Sequence, residues 1–161
     1  MKERLEEIAV VIFLLIIGIP LSILFLPFII LFSIFDFFQR KRFKKRYINY
    51  LSSIEGKKFF CFNTRKNGHH YIEKNVIPKL ADDIEYIFME GKNLKSAYTR
   101  EYISHMLSTI SDRKGFPYLI KINNGKVLNK SLNSQFYNFK SQNKNSDDLI
   151  ILINDNFNKL K

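Results

Sequence analysis

The chain has a single cysteine, Cys61. No intramolecular disulfide can form and no Cys-based metal site can be assembled, which agrees with a reducing compartment. Glycine and proline are also sparse, six and four in 161 residues, so the part after the first third is not a low-complexity tail. The sequence contains no Gly-rich phosphate loop, no Ser-His-Asp order and no pair of carboxylates suited to a cleft. Asp82-Asp83 reads more simply as a turn between a helix and a strand. No catalytic residue, metal or cofactor is therefore expected.

Acidic residues are outnumbered, 15 against 26 Lys and Arg, for a net charge of +11. Such a balance invites a nucleic-acid partner. Against that, the cations of the last two thirds are spread rather than clustered, and the chain is crowded with Asn, Ile and Phe, as an AT-rich coding sequence produces. Nucleic acid is not the expected partner.

Charge is wholly missing from Ile8 to Phe35 (IAVVIFLLIIGIPLSILFLPFIILFSIF). An uncharged run of this length requires lipid as its solvent. As one helix it would measure roughly 42 Å against a hydrocarbon core of about 30 Å, so a single span needs tilt or kinks. Pro20 and Pro27 can supply kinks, because each lacks the amide that would bond one turn back. The alternative is a re-entrant hairpin turning near Gly18-Ile19-Pro20, each arm of which would be too short to cross. The run is followed by Arg40, Lys41, Arg42, Lys44, Lys45 and Arg46, whereas Lys2 and Arg4 before it are offset by Glu3, Glu6 and Glu7. This asymmetry keeps the basic flank, and everything after it, in the cytoplasm at the inner membrane. The acidic leader, the long apolar core and the lack of a small-x-small site argue against a cleaved signal peptide. Next to anionic headgroups each of the six cations is worth about 1 kcal/mol.

Three segments follow from these patterns: residues 1–38 as a membrane anchor, 39–56 as a basic amphipathic juxtamembrane helix, and 57–161 as one cytoplasmic domain. In the second, Phe43, Tyr47, Tyr50 and Ile54 recur at helical steps. That stripe can lie on the headgroups or pack on the domain.

Within the domain, Lys58 to Phe62 (KFFCF) and Ile84 to Met89 (IEYIFM) read as strands, and Tyr71 to Ala81 as a helix carrying Pro78 inside it. A second helix is expected over about Ser96 to Ser111 and a third strand over Tyr118 to Ile122. Asn123-Asn124-Gly125 is a hairpin signal returning the chain into Lys126 to Leu128. Asn129 to Asn145 forms a loop or a short helix. Ser146-Asp147-Asp148 then opens a helix with acidic residues at the positive end of its dipole.

The order β-α-β-α-β-β-α, an α/β pattern, resembles the core of the thioredoxin superfamily. The resemblance rests also on Pro117-Tyr118-Leu119-Ile120-Lys121-Ile122-Asn123-Asn124-Gly125, which has the spacing of the late proline, strand and Asn-Gly turn of those proteins, and on Pro78, where they kink their first helix. It implies a cis Pro117. It covers about a hundred residues from Lys57 and departs at the chemistry: Arg65 to Glu73 (RKNGHHYIE), where redox-active members carry two cysteines, contains none. Dithiol oxidoreductase activity is excluded unless a partner brings the second thiol.

What remains at that position is a loop, Arg65, Lys66, Asn67, His69 and His70, able with Pro117 to meet a protein partner or an anionic ligand at a helix N-terminus. His70 and Glu73 would share a helix face, but a metal site there is not expected. The expected function is a membrane-anchored, non-redox binding or scaffold module. Three alternatives stand beside it. Arg100 and His105 form the Arg-x4-His signature of HEPN ribonucleases, an anion-binding loop could serve a transferase, and the apolar segment could oligomerise as a membrane-perturbing effector.

Overall fold

The computed structural model describes residues 2–65, 68–142 and 144–160. Contacts divide the chain into two compact units, Met1–Arg46 and Tyr47–Lys161. The first is the greater part of one helix, α1, which runs from Lys2–Ser53 and carries Pro20 and Pro27 within it. Gly18, Ile19 and Pro20 are helical, where a re-entrant hairpin would have to turn. Large apolar side chains from Val10 to Phe38 are exposed all round the helix, so this is not the core helix of a globular protein. It is long and apolar enough to span a membrane.

No separate juxtamembrane helix begins at residue 39. The same α1 continues to Ser53, and within the second unit its last two turns become core. Tyr47, Leu51 and Ile54 are buried there. Tyr50 stacks on Tyr102 at 4.5 Å, and Tyr47 meets the His105 ring edge-on at 4.6 Å. Of the two expectations for the aromatic stripe, packing on the domain describes these residues.

The second unit is mixed α/β around a five-stranded sheet. Its strands are β1 (Lys58–Asn63), β2 (Ile84–Glu90), β3 (Asn93–Lys95), β4 (Tyr118–Asn123) and β5 (Lys126–Ser131), in the spatial order β3-β2-β1-β4-β5. β1 and β2 are parallel and every other neighbouring pair is antiparallel. β1 lies at the centre because nearly all of it is apolar: Phe59, Phe60, Cys61 and Phe62 are at most 1% exposed, which only a strand covered on both faces tolerates.

Alternation sorts its side chains to the two faces. Phe60 and Phe62 join Phe88 and Leu119 in a core capped by Ile72 and Val76 at α2 (Gly68–Asn75), Phe136 of α4 (Asn133–Ser141) and Leu149, Ile153 and Phe157 of α5 (Ser146–Lys159). Phe59, Cys61, Ile87 and Ile120 face the other way. On that side Phe59 meets Tyr98 edge-on at 5.1 Å, and α3 (Arg100–Ser108) buries Ile103 and Met106.

Several elements depart from the sequence expectation. α2 begins at Gly68 and ends at Asn75, and Pro78 sits beyond it in a short 3-10 turn, Ile77–Lys79. Proline is tolerated in that turn because its missing amide falls among first-turn donors that have no partner in any case. β3 was not foreseen, since three residues give too little pattern to read. The 129–145 stretch resolves into the end of β5 and α4. The Phe116-Pro117 peptide is cis.

The junction between α1 and the sheet is closely bonded. The Gly56 amide donates to the Ile122 carbonyl at 3.1 Å, and the Ile122 amide donates to the Lys57 carbonyl at 3.0 Å. The Glu55 carboxylate accepts from the Asn124 and Gly125 amides at 2.6 and 2.9 Å. Those two residues have φ of 53° and 65°, the pair of positive values that a type I′ hairpin requires. Glu55→Gln should therefore loosen the β4-β5 turn by about 1 kcal/mol. The check is amide hydrogen exchange on the full chain in detergent, with exchange at Asn124 and Gly125 expected to rise about fivefold and unchanged exchange refuting the latch.

Exposed ion pairs bind the periphery. Lys79 donates to Asp147 at 2.6 Å and to the Ser146 hydroxyl at 2.7 Å, and Lys58 donates to Asp83 at 2.6 Å. Bonds from Lys79 and Lys58 hold the Asp147 and Asp83 carboxyls below the usual carboxylate range. A lowered folded pKa contributes stability above the unfolded value and loses it as pH falls through the folded one. Lys79→Met should thus lower the melting temperature at about pH 7 and have a smaller effect at about pH 2, because this stability is lost as pH falls through the lowered pKa of Asp147. An equal effect at both would show that Lys79 acts by packing alone.

Candidate functional site

The chain leaves β1 at Asn63, whose side-chain oxygen accepts from the Arg65 amide at 3.2 Å and bends the backbone back towards α2. The Tyr137 hydroxyl of α4 donates to the Arg65 carbonyl at 3.2 Å. Gly68 opens α2 in close contact with the same helix: a Cβ there would sit 3.1 Å from the Phe136 ring and 3.3 Å from the Tyr137 hydroxyl. Glycine is needed here for close approach, since its φ is not in the left-handed region. Thus α4 holds both ends of the loop.

Of the loop residues expected to form a site, Arg65 and His70 are exposed and His69 is half-buried, while Lys66 and Asn67 lie outside the described residues. The His69 ring lies 6.4 Å from that of Phe88 and 3.9 Å from that of His70. Its Nδ1 is buried and has no hydrogen-bond partner among the described residues. His70 Nδ1 is 3.9 Å from the Glu73 carboxylate, with both side chains in solvent. Among the described residues no three His, Cys, Asp or Glu side chains are grouped to hold a metal ion.

Pro117 is buried. Its carbonyl accepts from the Leu132 amide at 2.8 Å, and the Phe116 carbonyl accepts from the Asn133 side chain at 2.6 Å. The expected pairing of loop and proline as one exposed surface therefore has only its loop half in solvent. Cys61 is fully buried in β1, and burial pushes its thiol well above the ordinary range, so it holds no thiolate for exchange or ligation.

Arg100 and His105 do not converge. Five residues apart on α3 they diverge by about 140° at 3.6 residues per turn. The Arg100 guanidinium donates to the Lys92 carbonyl at 3.2 Å, and His105 packs on Tyr47. Both side chains have structural contacts.

Arg40, Lys41, Arg42, Lys44, Lys45 and Arg46, the residues expected at the headgroups, are all exposed on α1. At about 100° per residue they fall into three pairs around the helix, leaving one gap, where Phe43 lies. They make a collar rather than a stripe, the distribution suited to a helix crossing an interface rather than lying along it.

Reasoning from sequence missed one further feature, a cleft of about 550 Å3 lined by residues of β2, β3, α3 and the segment before β4. Its walls come from Met89, Leu94, Leu107, Ile110 and Phe116, and its cations are Lys92 and Arg113. No local motif signals it, because its lining is drawn from four separate stretches.

Gly68→Val should disturb the loop by forcing the Phe136 ring aside, lowering stability by about 1–3 kcal/mol, whereas Gly68→Ala should cost less. Thermal melting of the full chain in detergent checks this; equal stability of Gly68→Val and the parent chain would mean the helix start is loosely packed. No protein-family model matches the chain, and neither curated proteins nor solved structures yield a match.

Proposed function

We propose that the chain is a membrane-anchored binding or scaffold module, with one N-terminal span and a thioredoxin-like domain on the cytoplasmic face that carries out no dithiol chemistry. The observation that carries this reading is the arrangement β2-β1-β4-β5, with β1 and β2 parallel and β4 and β5 antiparallel. This order and direction support the resemblance to the thioredoxin core, with β3 as an addition at the edge. The position where that core keeps its redox pair is occupied here by Arg65 to Glu73 without a cysteine. The sole thiol is sealed inside β1.

The anchoring half of the reading is supported by the exposed apolar length of α1 and by the cationic collar after it. The six cations are assigned to anionic headgroups. The loop with Arg65, Lys66, Asn67, His69 and His70 is assigned to a protein partner or a small anionic ligand, while Pro117, being buried, is not assigned a contact.

Two measurements test the proposal. The purified chain should not reduce insulin disulfides even with reductant recycling; sustained turnover would refute the non-redox reading. A cysteine added after Lys161 in a Cys61→Ala background should react with a membrane-impermeant maleimide only after cells are permeabilised. Labelling of intact cells would move the domain to the opposite side of the membrane.

A further inference from the structure

The cleft beside α3 has a chemistry of its own. Met89 and Leu94 are cross-strand partners, so their side chains emerge on the same face and together make an apolar floor. Leu107, with Ser104 one turn before it and Ser108 beside it on the helix, forms a wall, and Phe116 closes an end with its ring edge-on to Tyr118 at 4.9 Å. The volume, about 550 Å3, lies inside the range of about 300–1,000 Å3 typical of small-ligand sites.

The polar groups of the lining divide into those already engaged and those available. The Tyr118 hydroxyl accepts from the Gly115 amide at 3.0 Å, and the Ser108 hydroxyl donates to the His105 carbonyl at 2.7 Å. The lining contains two cations, Lys92 and Arg113, and no carboxylate. Nearby acids are directed elsewhere: Asp112 faces Lys114 at 3.8 Å and accepts from the Ser131 amide, and Glu90 pairs with Lys95 at 3.1 Å. Lys92 and Arg113 make no ion pair with a described residue. An apolar hollow with two such cations suits a ligand with an aliphatic body and one negative charge, since a neutral chain would leave the cations unused and a cationic one would be repelled.

We infer that this cleft binds a single-chain amphiphile with one anionic head, its chain over Met89, Leu94 and Leu107 and its head held by Lys92 and Arg113. The inference does not depend on the side of the membrane on which the domain lies, nor on what the Arg65 to His70 loop contacts.

The test uses the full chain in phosphatidylcholine nanodiscs with a diazirine-bearing dodecanoate, irradiated, digested and mapped by mass spectrometry. Crosslinks are expected in peptides covering Met89 to Leu94 and Ser104 to Tyr118. Dodecanoate should compete them away, while dodecyltrimethylammonium and inorganic phosphate should not. Lys92→Gln with Arg113→Gln, both exposed positions, should lower the labelling at least tenfold, and Leu107→Trp, which fills the hollow, should abolish it with the thermal melt preserved. Crosslinks confined to Val10 to Phe38 would show mere partition into lipid and overturn the inference. Equal competition by the cationic amphiphile or by phosphate alone would overturn it as well, as would labelling that survives the variants.

Discussion

The structure depends on the need to cover β1 on both faces. Phe59, Phe60, Cys61 and Phe62 leave no side of that strand fit for water, and each phenylalanine removed from solvent contributes about 1.5–3 kcal/mol only if something apolar lies against it. On one face that demand is met by α2, α4 and α5, whose apolar residues form a single cluster with Phe60 and Phe62. The other face has α3, a helix of nine residues, and the last turns of α1 complete the layer. Tyr47, Leu51 and Ile54 are thereby core residues of the domain rather than parts of a linker.

The same constraint shapes what the domain can do. A thiol placed in the most completely covered strand is shielded from partners and costly to ionise, so the one cysteine is removed from chemistry by the packing that makes the sheet stable. Groups that remain accessible lie at the margins: the loop between β1 and α2, held at both ends by α4, and the cleft where β2 and β3 meet α3. Among the described residues both offer cations, Arg65 at the first and Lys92 and Arg113 at the second.

Much of this was legible where residues act locally. The apolar run of β2, the Asn-Gly turn and the acidic start of α5 are each encoded within a few positions, and β1 announces its central place by being apolar at successive residues. Less was legible where a tertiary contact decides. Gly68 reads as part of the loop after β1, yet it opens α2 in close contact with Phe136 and Tyr137, almost seventy residues later, where a Cβ would press on both side chains. Pro78 was expected inside a helix that in fact stops at Asn75. The cleft was invisible because Met89, Leu107 and Phe116 become neighbours only when α3 folds over the sheet edge. The aromatic stripe after residue 43 was ambiguous for a related reason, since tyrosines suit a headgroup layer and a protein core about equally.

The direct passage from α1 through Gly56 into β1 also has a mechanical meaning. The strand first reached by any tension along the chain is the central one, flanked by β2 and β4, so the load is shared by two hydrogen-bonded ladders and by the bonds joining Gly56 and Lys57 to Ile122. A ladder pulled along its strands yields only when many bonds fail together, whereas an edge strand peels one bond at a time. A chain that enters its domain through the middle strand presents no edge strand at its point of entry.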